Sequence, residues 1–231
     1  MSIRENLEAI RAEIDAAARE TGRTGADITL VGASKMNDAA ACQEAIAAGI
    51  DALGENRVQE MTAKLAENAY DGAPLHFIGH LQRNKVRQVV GKAVLIHSVG
   101  SRELLEEIER QAEKLDIVQD ILLEVNIGGE AAKSGFAPEA VADAAAYARE
   151  LAHVRLRGLM TIPPADAAQA ENMAYFEKVH ALYVDINQKM YDNKLDCLSM
   201  GMSGDFADAI RAGSNMVRVG TAIFGARDYT K

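Results

Sequence analysis

Hydrophobic positions along the chain alternate between short apolar runs and longer segments in which apolar residues recur every three or four positions. The short runs are bounded by glycine, proline or polar residues and predict buried strands, whereas the longer segments predict amphipathic helices. Eight strands are predicted, at residues 29–34, 52–56, 76–79, 93–98, 120–126, 156–162, 195–200 and 216–219. Helices are predicted at residues 1–20, 38–48, 57–68, 84–90, 101–114, 138–151, 167–187 and 206–212.

The order of these elements predicts the fold class. Strands that alternate with helices form a parallel sheet, and eight strand–helix units in about 200 residues imply a closed (β/α)8 TIM barrel of the α/β class. The helix at residues 1–20 precedes the first strand and is an addition to that barrel. No linker or repeat interrupts the pattern, so we expect one domain over residues 1–231. The alternative is an open, doubly wound sheet in which one element is misread.

The composition of the chain argues against some kinds of binding partner. Of the 231 residues, 48% are hydrophobic and 26% are charged, with a net charge of −9, which argues against nucleic acid and anionic membranes as main partners. No apolar run is long enough to span a bilayer, and residues 1–20 lack the apolar core of a signal peptide. We expect Cys42 and Cys197 to be reduced and buried in a cytoplasmic protein. The spacing of histidines, cysteines and carboxylates suggests no metal site.

Lys35 comes directly after the first predicted strand, in the sequence Gly32-Ala33-Ser34-Lys35. Active sites of parallel barrels lie at the C-terminal ends of the strands. Burial there disfavours the ammonium form, lowers the pKa of the lysine and gives a nucleophilic amine that can form a Schiff base with a carbonyl compound. From this stretch alone, a lysine whose stem packs while its amine reaches water is the simpler interpretation.

Polar residues around the last two strands suggest an anion site. Arg218 lies in an apolar strand and shares a face with Gly220, and a buried arginine needs an acceptor. Gly220 and Thr221 open the last helix, where backbone N–H groups and a hydroxyl can hold a phosphate. Ser203 follows the seventh strand and could cap the next helix or reach the same anion. A salt bridge for Arg218 and tight packing at Gly220 would explain these residues equally well.

One ligand would satisfy the lysine, the buried arginine and the anion site together. A carbonyl-bearing phosphate ester can form an imine with Lys35 while its phosphate is held at a helix N-terminus. Pyridoxal 5′-phosphate (PLP) is the natural candidate, because a protein group also tunes the electronics of its pyridine nitrogen.

The motifs of the chain resemble those of the pyridoxal-phosphate homeostasis proteins, small single-domain relatives of alanine racemase. The matching stretches cover nearly the whole chain in order: GASK at 32–35, GENRVQE at 54–60, HFIGHLQRNK at 76–85, VN at 125–126, KSG at 133–135, GLM at 158–160, LSMGMS at 198–203 and MVRVGTAIFG at 216–225. Arg57, Leu75 and Gly100 depart from the pattern usual in that family, and these departures concern the rim of the expected site.

The resemblance implies a (β/α)8 barrel that carries PLP as an imine on Lys35. It implies that the phosphate is held by Ser203, Gly220 and Thr221, and that Arg218 faces the pyridine nitrogen. Two further cofactor-binding residues, Asn56 and Ser199, are carried over on weaker matches. No residue is assigned a catalytic role, and Tyr229 is expected to pack locally in the tail.

The resemblance predicts a PLP-binding protein of intracellular PLP homeostasis, which buffers, carries or delivers the cofactor without substantial turnover. An arginine at the pyridine nitrogen keeps it unprotonated and makes the ring a weaker electron sink. PLP-dependent apo-enzymes are the expected partners, and we expect a monomer. The alternative is a PLP-dependent amino-acid racemase, for which the second base that alanine racemase takes from another domain is not expected here. A lysine Schiff-base aldolase is a third interpretation that the fold allows.

Overall fold

The computed structural model describes residues 2–130 and 133–225, and its strands close into a parallel barrel. The strands are β1 (Thr29–Ala33), β2 (Ala52–Glu55), β3 (Leu75–Phe77), β4 (Leu95–Val99), β5 (Gln119–Val125), β6 (Val154–Thr161), β7 (Cys197–Ser199) and β8 (Met216–Val219). Each strand pairs with the next in sequence, and β8 pairs with β1. The predicted (β/α)8 barrel is therefore confirmed. The open, doubly wound alternative is wrong, because the pairing of β8 with β1 closes the ring.

Helices lie on the outside of the barrel, with α1 before β1 and the others after strands. They are α1 (Ile3–Arg19), α2 (Ala39–Ala47), α3 (Val58–Ala66), α4 (Arg102–Leu115), α5 (Val141–Glu150), α6 (Gln169–Met190), α7 (Phe206–Arg211) and α8 (Thr221–Phe224). Polar side chains at their starts satisfy exposed backbone N–H groups. Ser2 and Glu5 form a capping box at α1, Asp38 caps α2 and Ser101 caps α4.

One predicted short helix is a 3-10 helix rather than an α-helix. The segment at residues 84–90 forms a 3-10 helix over Arg83–Gln88, in which Val86 is the buried residue. Short 3-10 helices are common in such connections, and this segment of 6 residues buries a single side chain, whereas α7, of equal length, buries Phe206, Ala209 and Ile210. The predicted helix at 138–151 likewise begins with a 3-10 turn, Pro138–Ala140, before α5.

Two hydrophobic cores hold the barrel together. The larger lies between the strands and the surrounding helices, and α1 adds Leu7, Ile10 and Ile14 to it. The smaller lies inside the barrel and takes one residue from the region of each strand: Val31, Ala52, Ile78, Leu95, Leu122, Met160, Cys197 and Met216. Side chains alternate between the two faces of a strand, so positions two residues further along also face the interior. On β4, β5, β7 and β8 those positions are polar: His97, Glu124, Ser199 and Arg218.

Both cysteines agree with the sequence prediction. Cys42 and Cys197 are buried and are not paired with each other in a disulfide. Burial raises the pKa of the Cys197 thiol to about 12, so this thiol stays protonated and packs as an apolar group. Within the described part of the chain, none of the helices combines the length and hydrophobicity that crossing a membrane requires.

Candidate functional site

The first strand of the barrel and the last two bring most of the predicted site residues to one edge. Strand β8 pairs with β1 through Val31 and Arg218, and β7 pairs with β8. Gly220 lies against β1 so closely that a Cβ atom there would be 3.2 Å from the carbonyl oxygen of Ala33. Lys35 lies two residues beyond Ala33, so Lys35 and Gly220 belong to the same C-terminal edge of the barrel.

Arg218 is held inside the barrel by neutral oxygen atoms. Its side chain is buried, with 4% of the residue exposed. Nη1 donates to the carbonyl oxygen of Ser199 at 2.9 Å and to its hydroxyl at 2.5 Å, and Nη2 donates to the carbonyl oxygen of Thr161 at 3.0 Å. Burial lowers the pKa of Arg218 to about 10, against the opposing charges of Asp205 and Glu124. The guanidinium therefore remains a cation at neutral pH.

Behind Arg218, a chain of buried hydrogen bonds continues through two histidines. The Ser199 hydroxyl lies 3.1 Å from Nδ1 of His97, and Nε2 of His97 lies 3.0 Å from Nδ1 of His76. Arg218 can only donate, so the Ser199 hydroxyl accepts from it and directs its own proton to His97. This assignment places the His97 proton on Nε2, where it is donated to His76. The fully buried Ser199 therefore accepts a hydrogen bond from Arg218 on the side of the barrel interior and holds the guanidinium in place.

The imidazoles of His76 and His97 are both neutral at neutral pH. Burial lowers the pKa of His76 to about 4, with a further contribution from the charge of Arg157. Burial lowers the pKa of His97 well below its ordinary value, and His76 and Arg218 add to that effect. No sequence motif indicates a role for these two histidines. The signal that could have identified His97 is its position two residues after Leu95 on β4, because alternate residues of a strand face the same side and Leu95 faces the barrel interior.

The predicted phosphate residues lie together at the ends of β7 and β8. The Ser203 hydroxyl accepts a hydrogen bond of 3.3 Å from the N–H of Gly220, and Thr221 is the exposed first residue of α8. Ser203 does not cap α7, because Asp205 occupies the N-cap position of that helix. Helix α8 is a single turn of 4 residues, so its dipole is small. Any anion here would be held by individual hydroxyl and N–H donors.

A cavity of about 220 Å³ opens on the opposite side of the barrel mouth, along the ends of β2 to β6. Asn56 lines it, and its Oδ1 atom is buried without a hydrogen-bond partner among the described residues. Gly79 packs against the Asn56 backbone so tightly that a Cβ atom there would lie 2.1 Å from the Asn56 carbonyl oxygen. The Asn56 backbone is thus held at the wall of the cavity, and the side-chain oxygen is an acceptor that a ligand could use.

Glu124 also lines this cavity and was not identified from the sequence. Its Oε2 accepts from the Ser134 hydroxyl at 2.8 Å, and burial raises its pKa. Lys133 lies at the rim, where it pairs with Glu130 and reaches the carbonyl oxygen of Pro163. Glu124 lies two residues beyond Leu122 of the inner core, so the alternation of β5 was the signal that could have located it.

The residues at the mouth fit a cofactor with an aldehyde and a phosphate. Lys35 is a lysine just beyond β1, the strand that pairs with β8; Ser203 and Thr221 provide hydroxyl groups, and Arg218 provides a buried cation on β8. The unpartnered Oδ1 of Asn56 provides an acceptor on the other side. Among the described residues, no group of histidine, cysteine and carboxylate side chains could hold a metal ion. Tyr229 lies outside the described residues.

Comparison with known proteins places the chain in a family. The model of the alanine racemase N-terminal domain family matches residues 5–228. The chain is 42% identical over 229 residues to the pyridoxal phosphate homeostasis protein of Aquifex aeolicus, covering 99% of this chain and 100% of that protein.

The chain also superposes on solved structures. PipY of Synechococcus elongatus PCC7942 with PLP bound superposes with a TM-score of 0.84 and 34% identity, covering 97% of this chain and 100% of that one. Alanine racemase of Clostridium difficile 630 in complex with cycloserine superposes with a TM-score of 0.76 at 18% identity, covering 99% of this chain and 60% of that one, and so shares the fold. The chain therefore belongs to the alanine racemase N-terminal domain family and, within it, to the pyridoxal phosphate homeostasis proteins.

Proposed function

We propose that this protein binds PLP at the mouth of the barrel and serves PLP homeostasis by buffering, carrying or delivering the cofactor. The observation that carries the proposal is the juxtaposition of Lys35 on the β1 side with Gly220 on the β8 side, across paired strands. The family relationship supports it, since relatives that match the full length of the chain carry the homeostasis name and PipY has been solved with PLP bound.

Each residue has a distinct task in this proposal. Lys35 attaches the cofactor covalently through Nζ, and Ser203, Gly220 and Thr221 hold the phosphate. PLP supplies an electrophilic carbonyl and an electron-withdrawing ring when bound. Arg218 faces the pyridine nitrogen, where a guanidinium donates a hydrogen bond and keeps its own proton. Asn56 contributes a side-chain acceptor, and Ser199 orients Arg218 from the interior.

The same residues argue against substantial turnover. A ring nitrogen that is not protonated withdraws less electron density, and the Ser199–His97–His76 chain behind Arg218 is neutral. No specific observation favours the racemase alternative. The likeness to alanine racemase at 18% identity supports the shared fold alone.

Two measurements on the purified protein test the proposal. After loading with PLP, the protein should transfer the cofactor to a PLP-dependent apo-enzyme and restore its activity. The loaded protein should exchange the α-protons of amino acids in deuterated water no faster than free PLP does. Exchange of any one amino acid at about 1 per second or more, a rate typical of enzymes, would show that the chain is a racemase or a related enzyme. Failure to retain PLP would contradict the proposal as a whole.

A further inference from the structure

The backbone around Lys35 is held in an unusual conformation. Ser34, before it, is fully buried, whereas Met36, after it, is 52% exposed and has a φ angle of 62°. A left-handed conformation is uncommon for a residue other than glycine and persists only where the surroundings impose it. Regular strand structure ends at Ala33, so contacts outside the barrel must fix this loop.

A buried ionic cluster lies directly behind the loop, on the side of α3. We refer to Glu55, Glu60 and Lys64 as the Lys64 cluster. Only 7% of the Lys64 side chain is exposed, and the Glu55 side chain is fully buried. The Lys64 ammonium lies 2.5 Å from Oε1 of Glu55 and 3.2 Å from Oε1 of Glu60. Two carboxylates thus share one ammonium inside the protein.

This cluster binds the peptide groups on both sides of Lys35. Lys64 Nζ donates to the carbonyl oxygen of Ser34 at 2.7 Å, which is the peptide group that precedes Lys35. The N–H of Met36, in the peptide group that follows Lys35, donates to Oε1 of Glu60. The Ser34 hydroxyl adds a third connection, because it donates to Oε1 of Glu55 at 2.6 Å.

Stability alone is a poor explanation for such a cluster. The desolvation of buried charges offsets much of their mutual attraction, and well-packed apolar residues of similar volume are often as stable or more so. The contacts of the cluster converge instead on the two peptide groups that determine where the Lys35 side chain leaves the backbone.

We propose that Glu55, Glu60 and Lys64 are positioning residues that aim the Lys35 side chain at the mouth of the barrel. The inference rests on the proposed attachment of the cofactor to Lys35. The cluster lies behind the backbone and acts through the direction of the side chain, which must be right before the amine can reach an aldehyde held by its phosphate. Small errors in such an alignment slow a reaction strongly.

Glu60 offers the cleanest test, because it is only half-buried and links Met36 to Lys64. The Glu60→Ala variant removes the acceptor of the Met36 N–H, and Glu60→Leu removes it while keeping more of the side-chain volume. Glu60→Gln keeps an oxygen acceptor at this position. Gln59→Ala, at the exposed neighbouring position, is the matched control. The rate of PLP attachment is measured by trapping with borohydride and peptide mapping of Lys35.

The Ala and Leu variants should attach PLP to Lys35 roughly 10–100-fold more slowly than the parent. The Gln variant should recover most of the parental rate, and the Gln59 control should equal it. Amide hydrogen exchange at Met36 should be faster in the Ala and Leu variants. Binding of 4′-deoxypyridoxine 5′-phosphate, which has the ring and the phosphate but no aldehyde, should be unchanged in every variant.

Three results would overturn the inference. The first is a parental attachment rate in both the Ala and Leu variants. The second is an equal loss of attachment and of deoxypyridoxine phosphate binding, which would show general damage to the site. The third is attachment in the parent protein at a lysine other than Lys35. The third result needs no variant. It would show that the proposed attachment of PLP to Lys35 is wrong, rather than the role of the Lys64 cluster alone.

Discussion

Lys35 is the residue on which the proposed covalent attachment depends. It follows a fully buried serine at the end of β1 and lies at the edge where β1 meets β8. Its amine is the one that the proposal places within reach of an aldehyde whose phosphate lies at Ser203 and Thr221.

We expect Lys35→Ala to lose covalent attachment of PLP and to retain weaker, non-covalent binding, because the phosphate residues remain. Borohydride reduction of the PLP-loaded protein followed by peptide mapping measures this directly. Lys92→Ala, at an exposed position, is the control and should be labelled at Lys35 like the parent. Labelling that persists on another lysine in the Lys35→Ala variant, at the parental level, would contradict the assignment.

At the scale of elements, the loops after β7 and β8 form one unit. The hydrogen bond between the Gly220 N–H and the Ser203 hydroxyl joins them, and Thr221 begins α8 beside that bond. Because α8 is a single turn, the hydroxyl groups carry a larger share of any phosphate binding than the helix dipole does.

Thr221→Ala and Ser203→Ala should therefore each weaken PLP retention. A hydrogen bond to a charged group contributes about 1.5–3 kcal/mol, which corresponds to a roughly 10–100-fold rise in Kd. Equilibrium dialysis against PLP measures the change, and Thr221→Ser, which keeps the hydroxyl, should remain near the parent. If both alanine variants hold PLP with parental affinity, the phosphate is bound elsewhere.

Elements are also the scale at which the sequence was most informative. Apolar alternation, caps and glycine stops are local signals, and they located all eight strands and most of the helices. The short helix predicted at residues 84–90 is the 3-10 helix Arg83–Gln88, a type that periodicity does not reveal, because it does not show how much packing a short turn will find.

Contacts within the site were harder to predict, because they depend on strand register. His97 meets Ser199 across a separation of 102 residues, and neither position shows a sequence motif for that contact. Lys64 has the spacing of an ordinary helix-surface lysine, yet it is buried against Glu55. Lys35, Ser203, Gly220 and Thr221 were placed at one edge correctly, since every parallel strand brings its C-terminal end to the same side.

At the scale of the whole molecule, the buried histidines make stability depend on pH. His76 and His97 have lowered pKa values in the folded protein and ordinary values near 6.5 in the unfolded chain. Below about pH 6.5 the two histidines bind protons in the unfolded chain but not in the folded protein, which favours unfolding. The contribution of the neutral histidines to stability is therefore fully present above that pH. It is lost progressively as the pH falls towards about 4, where His76 protonates in the folded state.

We expect the free energy of unfolding to fall between pH 6.5 and pH 4.5, with His76 contributing up to about 1.4 kcal/mol per pH unit. Urea denaturation across this range should show a shallower pH dependence for His76→Gln than for the parent. His80→Gln, which replaces an exposed imidazole, is the matched control. Equal slopes for His76→Gln and the parent would mean that the pKa of His76 is the same in the folded protein and in the unfolded chain.

The seam between β1 and β8 has a consequence for the order of events in the cell. Lys35 is translated early, whereas Ser203, Gly220 and Thr221 are translated near the end of the described chain. A nascent chain on the ribosome therefore has the proposed attachment residue long before it has the proposed phosphate residues. On this proposal it cannot hold PLP at both ends until β8 has emerged and docked on β1. PLP would then bind only after the barrel has closed. Each bound PLP molecule would stabilise the pairing of β8 with β1, the last strand pair to form.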